Sequence, residues 1–320
     1  MPKIVIPDDA PPVLATSPSY QVLLARTPVD YYDSLPGSID RLLERIVDAE
    51  VVINIRSSTR FTAEVFSHCP HLKMVSIWGT GTDNIDLDAA ARHGVTVTNT
   101  PGVSAISIAE HCLALLLAVA RRLPALDTQV RAGGWPRGRM MELNGKTLGV
   151  IGLGAIGRRF ARIAQGIGMR VVAWTMHPDP SLGFELVSLE ELLRTSDVVS
   201  LHLRLSDLTK GMIGAAQFAL MKPGAIFLNT ARGPITDEAA LAAALTNGPL
   251  AGAGLDVFDA EPLPSGHPLT KLENVVLTPH CAGITPEALE AGLRLAVENV
   301  FDYLAGTPRN VVAAPAGLIS

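Results

Sequence analysis

Short apolar runs, often β-branched and closed by Pro, Gly or Asp, alternate along the chain with stretches whose apolar residues recur at helical spacing. In the first hundred residues the strand-like runs are KIVI (3–6), VVINI (51–55), LKMVSIW (72–78) and VTVTN (95–99), with helical patterns at 39–49 and 86–94. After a Gly/Arg-rich stretch (131–139) a second series begins: TLGVIG (147–152), RVVAW (170–174), DVVSLHL (197–203), AIFLNT (225–230), GAGLDVF (252–258) and VVLTPH (275–280). A helix over 286–304 follows. Strands alternating with helices predict an α/β fold built on parallel sheets. One stretch stands apart: residues 106–124 are apolar nearly all round, and the pattern predicts a single helix that one sheet face cannot cover. Burial of its outer face in a symmetric homodimer is expected.

The second series contains GLGAIG, with Gly152, Gly154 and Gly157 placed between a strand and a helix. Gly152 suits the tight turn, Gly154 lets backbone approach a pyrophosphate, and Gly157 lets helix and strand pack closely. The phosphates would meet the helix N-terminus at Ala155 and Ile156, where unpaired N–H groups favour anions. Six strands complete a dinucleotide-binding sheet, so residues 104–284 are predicted to form a Rossmann-type domain. Residues 1–103 and 285–320 would form a smaller, flavodoxin-like α/β domain for the substrate, with the cofactor and substrate in a cleft between the two.

Composition narrows the function classes. The 320 residues are 48% hydrophobic and 18% charged with net charge −5, which gives no broad attraction to nucleic acid or anionic membrane. The strongest apolar run, residues 112–120, is too short to span a bilayer, and the N-terminus lacks the apolar core of a signal peptide. Cys69, Cys112 and Cys281 show no metal-ligand spacing, so reduced thiols, no metal and a cytoplasmic protein are expected.

Strands of the second series end in LNTARG (228–233), LDVFDAEPLP (255–264) and LTPHCAG (277–283). In an open parallel sheet the carboxyl ends of strands line the ligand crevice, which collects Arg232, Asp256, Glu261 and His280 near the glycine loop. Taken singly each has a bland reading: a helix cap, a solvated acid, a loop histidine. Together with GTGTDNIDL (79–87), VTNTPG (97–102), AEHCLALLLAVAR (109–121) and MKPGAIFLNTARG (221–233), they make the chain resemble the D-isomer-specific 2-hydroxyacid dehydrogenases over nearly its whole length.

That resemblance implies NAD or NADP as cofactor and assigns catalysis to Arg232, Glu261 and His280. The residue types suit the chemistry. Imidazole titrates near neutrality, so His280 can take the hydroxyl proton in oxidation and return it in reduction. Glu261 would orient the ring and favour the imidazolium. Arg232 would hold the substrate carboxylate through a two-pronged geometry. Thr175, His202, Arg204, Thr230 and Asp256 are placed with the cofactor, Asp256 at its nicotinamide end or as a stabiliser of the site. Arg56, Ser57, Trp78, Gly79 and Thr80 are placed with the substrate: Gly79 and Thr80 offer N–H groups to the carboxylate, Arg56 and Arg60 a counter-charge to a phosphorylated acid, and Trp78 restricts the pocket. Two departures bear on the cofactor. Thr175 stands eighteen residues after Gly157 where an acid commonly binds the ribose, and Arg204 stands where the family commonly has proline. Loss of the acid, with His177 and Arg204 nearby, predicts use of both cofactors.

The expected reaction is hydride transfer on a small 2-oxo or D-2-hydroxy acid, with glyoxylate or hydroxypyruvate ahead of 3-phosphoglycerate. No further regulatory domain is expected. The rival reading is a cofactor-sensing, protein-binding corepressor, against which the intact Arg–Glu–His set argues.

Overall fold

A computed structural model describes residues 2–315. The chain divides into two compact units, one running up to Ser104 and resuming at Thr285, the other spanning Ala105–Ile284. The first unit opens with β1 (Ile4–Ile6), α1 (Pro18–Leu24), β2 (Val29–Tyr31), α2 (Ile39–Ile46), β3 (Val51–Asn54), α3 (Ala63–His68), β4 (Met74–Ile77), α4 (Leu87–Arg92) and β5 (Thr96–Thr98). The second unit carries α5 (Ala105–Ala120), α6 (Leu123–Arg131), β6 (Thr147–Ile151), α7 (Ala155–Gly166), β7 (Arg170–Trp174), β8 (Glu185–Leu186), α8 (Leu189–Thr195) and β9 (Val198–Leu201). It continues through α9 (Ala215–Leu220), β10 (Ala225–Asn229), α10 (Glu238–Thr246), β11 (Leu250–Leu255) and β12 (Val275–Leu277). The chain then returns to the first unit as α11 (Pro286–Leu304) and β13 (Val311–Ala313).

The first unit's sheet runs β13-β5-β4-β3-β1-β2 and is parallel except for β13, which pairs antiparallel with β5. Strands β1, β3, β4 and β5 are buried along their whole length because both faces of the sheet are covered. Ile4, Ile6, Ile53 and Met74 pack with Leu293, Val297 and Val300 of α11. Val5, Val52, Val75 and Val97 pack on the opposite side with Leu42, Phe61 and Phe66. The period of two along each strand assigns neighbouring residues to different layers.

The second unit's sheet, β12-β11-β10-β9-β6-β7-β8, is parallel throughout. Phe227, Val199 and Leu201 face α8, α9 and α10, while Val150, Ile226 and Leu228 face α5 and α7. Glycines set one of these distances. A side-chain carbon at Gly252 would lie 2.7 Å from Val119 Cγ1, and one at Gly254 would lie 2.9 Å from Leu115 Cβ, so α5 seats directly on β11. Strand order reverses at β6, whose neighbours are β7 on one side and β9 on the other. Such a switch point opens a crevice beyond the strand ends.

Three expectations need correction. The second sheet has seven strands rather than six, because the two-residue β8 adds an edge. The first is not wholly parallel. The apolar stretch 106–124 is not one helix: it ends at Ala120, Arg122 takes a left-handed backbone (φ 51°), and α6 starts at Leu123. Pro124 falls in the first turn of α6, where its missing N–H costs nothing; inside a continuing helix it would remove a hydrogen bond. Among the described residues no helix is long and apolar enough to cross a membrane.

Candidate active site

The glycine loop joins β6 to α7 at the switch point. Gly152 has φ 101°, and a side chain there would strike the His202 carbonyl oxygen at 2.6 Å. A side-chain carbon at Gly157 would lie 2.0 Å from the Gly152 carbonyl oxygen, so helix and loop touch only because both positions are glycine. Gly154 is different: a carbon added there meets nothing within 4 Å. Helices α1, α2, α3, α4, α8, α10 and α11 each start on a Ser, Thr or Asp whose side chain accepts a first-turn N–H. Helix α7 starts on Gly154 with no side-chain cap, which leaves the N–H groups of its first turn facing open space. An exposed helix start with room in front of it fits a pyrophosphate.

At the tip of β7, Thr175 is half-buried beside an open recess lined by Trp174, Pro178, Leu186, Val187 and Ser188. Its walls are largely apolar, and Thr175 is at its rim. The acid absent there is not replaced by Asp179, whose carboxylate caps Ser181 through its N–H and hydroxyl. Those bonds hold Asp179 below the usual carboxylate range, with the Arg158 charge adding to the effect. His177 and Arg204 are exposed. His202 turns inward: its Nε2 lies 2.9 Å from Ser200 Oγ, its ring packs on Phe160, and burial pulls its pKa down to about 4. It is therefore neutral near pH 7. Thr230 Oγ1 lies 3.2 Å from Cys112 Sγ, and burial pushes that thiol up to about 12.

The ends of β10, β11 and β12 meet in one cluster. Asn229, 2% exposed, accepts from the Ala231 N–H and donates to the Arg232 carbonyl and Thr236 hydroxyl, folding the TARG turn. Gly233 lies flush against the Phe258–Asp259 backbone, at 2.0 Å for a notional side-chain carbon, which brings Arg232 beside the loop after β11. In that loop Glu261 accepts the Phe258 N–H on Oε1 and meets His280 Nδ1 at 2.7 Å on Oε2. Burial pushes the Glu261 pKa up, but the His280 and Phe258 hydrogen bonds and the His280 and Arg232 charges outweigh it, so the carboxyl sits below its usual range. Glu261 is ionised at neutral pH.

His280 has a left-handed backbone (φ 51°), uncommon for a residue with a side chain. Asp256 holds it there. Its carboxylate, 1% exposed, accepts from Thr278 Oγ1 (2.6 Å) and the Cys281 N–H (2.9 Å) on Oδ1, and from the Ala282 N–H (2.9 Å) on Oδ2. The Asp256 carbonyl also accepts the His280 N–H at 2.8 Å. Because the Thr278 hydroxyl gives its proton to Asp256, His111 Nε2, 3.0 Å away, must be the donor to Thr278. The donor atoms of His111, Asp256 and Cys281 lie within 4.8 Å of one another, yet the carboxylate is already filled by these hydrogen bonds. Burial and the Asp256 charge keep Cys281 a thiol.

Comparison with known proteins accounts for this combination. Residues 113–282 match the model of the D-isomer specific 2-hydroxyacid dehydrogenase NAD binding domain. The chain belongs to this family. It is 42% identical to a glyoxylate reductase of Korarchaeum cryptofilum over 88% of this chain and 87% of the relative. It is 42% identical to a D-3-phosphoglycerate dehydrogenase of Archaeoglobus fulgidus over 87% of this chain, but spans only about half (54%) of that protein's length. The structure is similar to that of a D-lactate dehydrogenase from Aquifex aeolicus complexed with NAD and lactic acid, with TM-score 0.87, 30% identity, and coverage of 98% and 100% of the two chains. The family is one of nicotinamide-dependent oxidoreductases acting on the CH–OH group.

The first unit of this family member gathers its polar residues at the same kind of strand edge, after β1, β3, β4 and β5. Gly79, at the end of β4, does not offer its N–H outward as expected: it donates to Thr100 Oγ1 at 2.8 Å. Thr80 is exposed, with its hydroxyl bonded to the Thr100 carbonyl. Trp78 lies across α11, where Gly292 leaves room for its indole, and its Nε1 donates to the Leu289 carbonyl at 3.3 Å. Ser57 and Arg60 are exposed, whereas Arg56 is tied into its own unit through Asp9.

Residue types alone did not point to Asn229, Thr278 or His111, since each acts by holding other groups of the protein. Their contribution is positional. Asp256→Asn exchanges an acceptor oxygen for a donor and should let the 278–282 turn relax, lowering kcat by about 10²-fold, the scale of a reacting group misplaced by an ångström. Steady-state kinetics check this; an unchanged kcat in a folded variant would show that the turn does not need the carboxylate.

Proposed function

We propose that this chain interconverts a small 2-oxo acid and its D-2-hydroxy acid, with glyoxylate or hydroxypyruvate ahead of 3-phosphoglycerate. The observation that carries this reading is the His280–Glu261 pair at 2.7 Å beside Arg232 at the carboxyl edge of the sheet. Nδ1 of His280 is committed to Glu261, so Nε2 is the atom that gives the proton to the carbonyl oxygen or takes it from the hydroxyl. Ionised Glu261 fixes that tautomer and stabilises the imidazolium formed when Nε2 holds the proton. Arg232 anchors the carboxylate, which restricts the substrate to an orientation with C2 presented for transfer. A bound nicotinamide supplies or accepts the hydride. The Gly152–Gly157 turn and the uncapped start of α7 would hold its pyrophosphate, and Thr175 its adenosine ribose.

A panel of 2-oxo acids assayed with NADH and NADPH tests the reading. His280→Ala should lower turnover by about 10²–10⁴-fold, the usual worth of a positioned acid–base group, with cofactor affinity nearly intact. Arg232→Lys should be costly across the panel although its charge is kept, because the paired hydrogen bonds cannot be rebuilt. Normal turnover in both variants would reject the assignment.

We also propose that both cofactors are used. Threonine at 175 bonds a ribose hydroxyl without repelling a 2′-phosphate, and His177 and Arg204 are exposed cations or potential cations beyond the tips of β7 and β9, the two strands that flank β6. Thr175→Asp should move selectivity toward NADH by about 1–3 kcal/mol, the scale of a charged hydrogen bond gained or lost. Comparison of kcat/KM for NADH and NADPH decides; a parent protein that already rejects NADPH as strongly as the variant would overturn this.

A homodimer is proposed on the exposed apolar residues of the second unit. Helix α6 buries none of its residues, and Ile106, Leu117, Leu123, Val130 and Trp135 (76% exposed) leave a broad apolar surface on a single copy. Sedimentation at micromolar concentration should give a dimer; a monomer would contradict it.

A further inference from the structure

Asp8 and Asp9 follow β1 and are both fully buried, an expensive placement for two adjacent carboxyls. Asp8 is consumed by the end of β3 and the loop after it, and Asp9 by its own loop and β2. Asp8 accepts the N–H groups of Ile55 (2.9 Å) and Arg56 (3.1 Å) and the side-chain amide of Asn54 (2.5 Å). Asp9 accepts the N–H groups of Val13 and Leu14 and the Tyr31 hydroxyl at 2.8 Å. The Arg56 guanidinium lies 3.7 Å from Asp9 Oδ1, donates to the Pro11 carbonyl, and has a side chain only 15% exposed.

Arg56 is one of the two cations, with exposed Arg60, that the sequence offers to a phosphorylated substrate, and it stands at the carboxyl end of β3 on the strand edge that also carries Gly79 and Thr80. Its charge is not available there. Asp9 lies beside the guanidinium while Asp8 holds the backbone N–H of the same residue, so the Asp9–Arg56 pair carries no surplus positive charge. Withdrawing Arg56 toward a phosphate would leave Asp9 buried without its ion-pair partner, which is the costly way to break such a pair.

We propose that the Asp9–Arg56 pair is a specificity lock that excludes 2-oxo acids carrying a phosphate. It rests on the 2-oxo acid reduction proposed above and names Asp9, through Arg56, as a residue that sets substrate choice. The lock works by subtraction: Asp9 withholds the Arg56 charge from a dianionic substituent and leaves that substituent only the solvated Arg60, while an aldehyde hydrogen or a hydroxymethyl group needs neither. Specificity built by withholding a partner from the wrong ligand is a general device.

The test compares hydroxypyruvate with its 3-phosphate ester in the wild type, Arg56→Gln and Asp9→Asn, together with thermal unfolding of both variants and of the double variant. Wild type should favour the unphosphorylated acid in kcat/KM by about tenfold or more. Arg56→Gln should change both substrates by a common factor, and Asp9→Asn should shift the ratio toward the phosphorylated acid by freeing the guanidinium. A loss in Arg56→Gln confined to the phosphorylated acid would show that Arg56 contacts phosphate, and would overturn the lock. Arg56→Gln should also lower Tm in the wild-type background and far less in the Asp9→Asn background; equal losses in both would overturn the pair as a unit. If Asp9→Asn does not fold, the substrate ratio in Arg56→Gln decides alone. Turnover of neither acid would overturn the proposed reaction instead, with the unfolding cycle still judging the pair.

Discussion

A single buried carboxylate organises the chemistry of the second unit. Asp256 receives three hydrogen bonds from Thr278, Cys281 and Ala282 and lends its own carbonyl to the His280 N–H. Those bonds stabilise a turn in which a non-glycine residue adopts φ 51°. Without them the backbone would relax toward negative φ, and the imidazole would leave Glu261 Oε2. The ion pair, the tautomer and the direction of Nε2 thus all follow from one buried acid. Its isolation from water strengthens each of these bonds and makes their loss expensive.

The wider constraint is topological. A parallel sheet places every strand's carboxyl end on one edge, so residues far apart in sequence come together without any long-range side-chain code. Arg232, Asp256 and His280 follow β10, β11 and β12, which are consecutive neighbours. The glycines of β11 seat α5 on this part of the sheet and carry His111 to Thr278. Packing density on one side of the sheet therefore bears on geometry at its edge.

Much of this was legible in the residues. Runs buried on both faces read as strands because no polar side is needed, and β7 and α11 lie at the predicted bounds. The family resemblance was equally plain, since several ordered motifs fall at strand ends. Elements that lean on their neighbours were not legible. β8 has two residues, β2 is a half-exposed edge, and β13 exists only by pairing with β5. The break at Arg122 was hidden because leucine and alanine continue the apolar pattern past it; only the left-handed backbone and the position of Pro124 reveal two helices. At the site, side-chain types suggested His, Glu and Arg. The web that positions them is written in backbone N–H groups, which every residue but proline has and no sequence pattern announces. The same holds for Gly79, whose N–H is taken by Thr100.

These two ways of holding a residue have different consequences for change. His280, Glu261 and Arg232 sit in turns whose backbone bonds reach into the sheet, so replacing their supports disturbs several partners together. Thr175, His177 and Arg204 stand at strand tips, half-buried or exposed. Substitutions at such positions usually move stability by less than 0.5 kcal/mol, while one charged hydrogen bond to a ribose or phosphate is worth about 1–3 kcal/mol. The effect on the ligand exceeds the effect on the fold. Positions 175, 177 and 204 can therefore change at little cost to the fold, whereas the turn that carries His280 cannot change without disturbing the bonds that Asp256 holds.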